Sequence, residues 1–133
     1  MAASARAHTA CSHMAIPLAC VHDHADVLLT NPPFWTLHPT FCNHVHIHDV
    51  RIETQGPNTD GIDPDSCQNV LIERCHISTG DDCIAIKSGK DADGRAVGIP
   101  TANVLVSATR CSAADTAGMR GGAVSGPAMH TCG

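Results

Sequence analysis

The chain has 133 residues, enough for one domain with a modest core. Its formal charge of −5 excludes a polyanion-binding protein held by a broad basic surface, but leaves room for a small cationic pocket. Aromatic residues make up only 2%, namely Phe34, Trp35 and Phe41, so any core must rest on stacked aliphatic side chains.

The first 25 residues match no recognisable element and are left unassigned. Their apolar run at residues 14–21 is short, and His8, Ser12 and His13 break the segment before it, so no convincing signal peptide is present. No stretch approaches the roughly 18 apolar residues of a membrane-crossing helix. No membrane or nucleic-acid partner is expected. Eight cysteines and ten histidines occur without a Cys-x-x-Cys or zinc-finger spacing, which weakens a structural zinc reading. The disulfide state depends on the redox compartment and stays open.

From residue 26 the chain repeats itself. Residues 26–30, DVLLT, return as 49–53, DVRIE, after 23 positions. Residues 42–47 return as 67–72 after 25, and 35–39 fall above 60–64 at the same spacing. A further copy at 103–106 follows 69–72 after 34, the excess fitting an insertion at residues 89–100. Within each copy Val45 and Ile47, Val50 and Ile52, Val70 and Ile72, Cys75 and Ile77, and Ile84 and Ile86 alternate with other residues, the mark of half-buried strands.

Units this short cannot bury a face alone. They can as turns of a parallel β-helix of about four to five coils, with strands stacked about 4.8 Å apart. The predicted fold is therefore all-β, a parallel solenoid with its core at residues 26–111 and a degenerate segment at 112–133. Leu37, Ile62 and Ile84 would form one inward column, and Val45, Val70 and Val104 another.

Stacking brings Asp60 next to Asp82, 22 residues on, with Asp81 beside them and Asp65 over Lys87. Crowded carboxylates raise at least one carboxyl pKa. One acid held protonated beside others held ionised is what glycosidic cleavage requires. Trp35, one rung earlier in Asp60's column, is either coil packing or a platform for a sugar ring. Both lysines of the chain, Lys87 and Lys90, follow the acids with Arg95, placed to pair with an acidic sugar's carboxylate. Asp63 and Asp65 read as turn acids that bond backbone amides, and Asp65–Lys87 as an ordinary surface pair. His44, His46 and His48 share a strand face, either as metal ligands or, more plainly, as a solvated surface. Residues 91–94, DADG, read as a turn.

Three stretches carry a resemblance: NPPFWTLHP at 31–39, GPNTDGIDPDSC at 56–67 and TGDDCIAIKSGKD at 79–91. They resemble family 28 of the glycoside hydrolases, the polygalacturonases, in particular the plant and bacterial branch often described as exo-acting. The resemblance implies a right-handed, pectin-lyase-like β-helix that hydrolyses α-1,4-linked galacturonate in pectin with inversion. It makes Asp81 the general acid, Asp60 and Asp82 the pair that holds and activates water, and Asn58 a residue lining the site, with Lys87 and Trp35 as substrate contacts.

The resemblance implies no cofactor and no metal. Its partner is a pectic polysaccharide met outside the cell or in a cell wall, with the chain a monomer. Members of the family are considerably longer and carry a Gly-His-Gly motif and a later Arg-x-Lys motif. Here residues 118–126, GMRGGAVSG, echo the first without its histidine, and the second is missing. The expectation is a truncated piece of such an enzyme. The alternatives are an inactive fragment that only binds acidic oligosaccharide, or a metal-binding protein built on the histidines and cysteines.

Overall fold

The computed structural model describes residues 26–112 with their side chains, and the backbone alone of residues 8–10, 14–16, 22–24, 113, 120–121 and 130–131. The expectations for the start of the chain, for most of 112–133 and for Cys11, Cys20 and Cys132 lie outside the described residues.

The chain winds as a parallel β-helix. Each turn lays down up to three short strands, one on each of three walls. The first turn gives β1 (His8–Ala10), β2 (Met14–Ile16) and β3 (His22–His24). The second gives β4 (Leu28–Thr30), β5 (Leu37–Pro39) and β6 (Asn43–His48). In the third, β7 (Arg51–Glu53) and β8 (Gln68–Glu73) flank a middle wall reduced to bridges at Ile62 and Asp65. The fourth gives β9 (His76–Thr79), β10 (Ala85–Ile86) and, after a helix α1 (Asp91–Val97), β11 (Ala102–Ser107). A fifth turn follows with β12 (Arg110–Ala113), β13 (Arg120–Gly121) and β14 (His130–Thr131). Every described strand pairing is parallel.

The register is the one the repeat predicts. Leu28 pairs with Arg51, Val45 with Val70, Val70 with Val104, and Leu37 with Ile62 and then Ile84. Because alternate residues point inward, each inward column is a stack of like side chains. Leu29, Ile52 and Ile77 form one such column, and Ile47, Ile72 and Val106 another, all buried. Cys42, Cys67, Cys75 and Cys83 are buried free thiols that pack as small apolar groups; burial pushes the Cys67 and Cys75 thiols up.

Corners repeat as faithfully as strands. Asp26, Asp49, Arg74 and Ala108 occupy equivalent positions and all take positive φ, as do His44, Asn69 and Asn103. A left-handed residue turns the chain sharply between walls, and Asn and Asp adopt it at least cost among residues with a side chain. Asn43, Asn69 and Asn103 add a ladder of side-chain amide hydrogen bonds of 2.8 and 3.1 Å up the outside.

The insertion predicted at 89–100 is present and departs from expectation in one respect: residues 91–97 form a helix rather than a turn. Gly98 ends it in the left-handed conformation, donating its N–H to the Gly94 carbonyl. The helix buries none of its residues, so it carries no apolar periodicity to betray it.

Gly61 is required where the middle wall passes behind Asp60. A Cβ there would run into the Cys83 carbonyl oxygen and lie 2.6 Å from the Ile77 Cγ2. Gly61→Ala is expected to destabilise the stack by about 1–3 kcal/mol through overpacking, read as a lower denaturation midpoint. Ile72→Ala, in the middle of a fully buried column, is expected to cost about 2–5 kcal/mol by the same measurement.

Candidate active site

The middle wall carries the acids. Thr36 donates its N–H to the Asp60 carbonyl at 2.8 Å, and Gly61 donates to the Asp82 carbonyl at 2.9 Å. Trp35, Asp60 and Asp82 are thereby held one above another on successive turns, as the spacing predicts. The side chain of Asp60 is buried, while Asp81 and Asp82 are half-buried.

Asp81 is fixed by two backbone donors. Its Oδ2 accepts from the Asn58 N–H at 3.2 Å, one turn below, and its Oδ1 from the Asp82 N–H at 2.9 Å. The Thr79 hydroxyl donates to the Asp81 carbonyl at 2.6 Å and tightens the same loop. Asn58 reaches this arrangement through its main chain, from a left-handed position with φ 54°. Behind the acids, Cys83 turns inward against the Ile77 carbonyl and the Thr79 hydroxyl. A thiol hydrogen bond with Cys111 pulls Cys83 down to about 7 and pushes Cys111 up.

Lys87 closes the floor of the site. Its ammonium lies 3.3 Å from Asp60 Oδ2, 3.5 Å from Asp63 Oδ2 and 4.0 Å from the centre of the Trp35 ring. A cation over an indole face is attracted by the ring quadrupole, so Trp35 steadies the lysine as well as flanking the acids. Trp35 in turn meets His38 edge-on at 4.9 Å and Phe34 at 5.4 Å.

Asp65 does not take Lys87 as an ion partner, although their backbones bridge. It accepts from the Gly89 N–H at 2.6 Å and meets His38 Nε2 at 3.4 Å, so its expected role as a turn acid holds and the expected surface pair does not.

Asp63 is the residue that sequence reasoning missed. It was expected to bond backbone amides in a turn. Its side chain is instead 0% exposed, with the Lys87 ammonium 3.5 Å from Oδ2 and the Ala85 backbone N–H as its polar neighbours, neither in strict hydrogen-bond geometry. Burial pushes its pKa up to about 8, with Asp60 adding to the rise and Lys87 opposing it. A signal was available: in register Asp63 falls between His38 and Ala85, a buried column on a wall otherwise lined by the acids.

Of the other candidates, Lys90 and Arg95 are exposed on the insertion. Ser88, Gly89, Asp91, Arg95 and Ile99 line a separate open depression of about 390 Å³ there. His46 and His48 are engaged on the outer face. His46 Nε2 meets Glu73 Oε1 at 3.0 Å, and His48 Nδ1 meets Asp49 Oδ2 at 2.7 Å. Arg74 binds both carboxylates, and its guanidinium, ahead of His48, lowers Asp49 to about 2. His44 is exposed. Among the described residues no group of three His, Cys, Asp or Glu side chains is arranged to hold a metal ion, and no helix is long and apolar enough to cross a membrane.

The chain is similar to known proteins. A "Probable polygalacturonase" of Vitis vinifera is 43% identical over 89 residues, which cover 65% of this chain and 18% of that protein. The crystal structure of a hyperthermoactive exopolygalacturonase from Thermotoga maritima superposes with a TM-score of 0.57 at 44% identity, over 64% of this chain and 20% of that one. The family 28 exopolygalacturonase of Yersinia enterocolitica superposes with a TM-score of 0.58 over 65% of this chain and 15% of that one; at 22% identity it speaks for the fold alone. The chain thus spans about a fifth of the length of the relatives it matches. Residues 14–125 match the model of the glycosyl hydrolases family 28, and the chain belongs to that family.

Proposed function

We propose that the described turns carry the acid centre of a polygalacturonate hydrolase, cleaving α-1,4-galacturonosyl links with inversion. The observation that carries this reading is the stacking of Asp60 against Asp82 in register, with Asp81 tethered beside them by the Asn58 N–H. In this reading Asp81 protonates the leaving glycosidic oxygen as the bond to the anomeric carbon breaks. Asp60 and Asp82 take a proton from the water that attacks the opposite face. Exchange with solvent then restores Asp81 to its acid form and returns the pair to carboxylates.

Lys87 enters as a counter-charge. Its ammonium stands 3.3 Å from Asp60, a cation beside the carboxylate assigned to the water. This differs from the sequence expectation, in which Lys87 served the substrate carboxylate. In this reading Trp35, with Lys87 against its ring, is also a contact for a sugar. An acidic wall polysaccharide as substrate also implies work outside the cell by a monomeric chain, without a cofactor.

Reducing-end release from polygalacturonate, measured for the purified chain and for Asp81→Asn, tests the proposal. Asp81→Asn is expected to lower the rate by a factor of about 10²–10⁴, the usual contribution of a general acid. Oligogalacturonide binding that survives Asp81→Asn, with no release from either protein, would instead favour a non-catalytic binding fragment.

A further inference from the structure

The proposed reaction assigns no task to Asp63, yet its carboxyl is fully buried with neither oxygen in a well-formed hydrogen bond, which is unfavourable. Its polar neighbours are the Ala85 backbone N–H and the Lys87 ammonium at 3.5 Å, which also lies 3.3 Å from Asp60. The groups facing this pocket are Asp60 from the same wall, Lys87 from the turn above, and Trp35 and His38 from the turn below. Asp65 stands beyond His38, at 3.4 Å from its Nε2.

We propose that Asp63 is a positioning residue for the acid centre: its buried carboxyl lies beneath the Lys87 ammonium and determines how much of that charge Asp60 receives. With a proton on Asp63, the ammonium has one anionic partner, Asp60, and compensates it fully. When the proton leaves to solvent, two carboxylates share one ammonium, and Asp60 loses part of its counter-charge while Lys87 is drawn inward. The inference rests on the reading of Asp60 as a member of the acid centre, and it makes the counter-charge offered to Asp60 depend on a residue to which the proposed reaction gives no task.

The sign follows from where the proton sits. Burial raises Asp63 to about 8, against about 4 in an unfolded chain. The folded state therefore binds the extra proton, and stability present below about pH 4 is lost progressively as pH rises toward 8.

Trp35 supplies a readout that needs no substrate. It is the only tryptophan of the chain, and the Lys87 ammonium lies against its ring. Its emission should be followed from pH 5 to 9 in the full chain, in Asp63→Asn and in Lys87→Met, alongside denaturation midpoints over the same range. The wild type is expected to show an emission transition near pH 8 that is absent from both variants, and Asp63→Asn is expected to flatten the fall in stability.

A transition that persists in Asp63→Asn at the same midpoint, as titration of His38 or Cys83 would give, overturns the proposal. So does a wild-type emission with no transition. If Asp63→Asn fails to fold, Lys87→Met decides: a transition retained without the lysine is equally fatal. Because neither readout involves hydrolysis, failure here is distinguishable from failure of the proposed reaction. Where release is measurable, Asp63→Asn should also change the alkaline limb of the pH–rate profile.

Discussion

Everything in this molecule hangs on backbone register between successive turns. Hydrogen bonds such as Thr36 N–H to Asp60 and Gly61 N–H to Asp82 lock each rung to the next. A one-residue slip would put every inward side chain outside. Once the rungs are locked, residues far apart in sequence become neighbours without further instruction. The same lock that stacks Ile47 on Ile72 stacks Trp35, Asp60 and Asp82 on the adjoining wall. Core and site are two readings of one ladder. The nearly aromatic-free composition is sufficient because β-branched side chains in columns fill a narrow, regular interior.

This is why so much was legible in the sequence. The 25-residue offset between Cys42 and Cys67 is the pairing of Asn43 with Gln68, and the 34-residue offset between Asn69 and Asn103 is the pairing of β8 with β11. The neighbourhood of Asp60, Asp81 and Asp82 followed from the same arithmetic. The direction of long side chains did not. Lys87 leaves its rung above Asp65 and bends to Asp60 and Asp63, because two carboxylates and an indole face outweigh one half-buried acid. Asp63 was read as a turn acid that bonds backbone amides, and spacing could not show that its carboxyl would be fully buried against that folded-back lysine. The helix at 91–97 was hidden because it buries nothing.

The electrostatics of the two faces contrast. On the outer wall Arg74, Asp49, Glu73, His46 and His48 form an exposed network, where solvent screening leaves each pair little net value. On the site wall one cation serves two acids with little water to screen it, so small changes in proton occupancy carry weight. Charge count alone would have ranked these faces the other way round.

The excursion that holds α1 leaves the stack after β10 and rejoins it at β11 without disturbing the pairing of Val70 with Val104. The excursion is thus held apart from the rungs of the stack. A corner can lengthen, shorten or change sequence while the rungs that align the acids stay fixed.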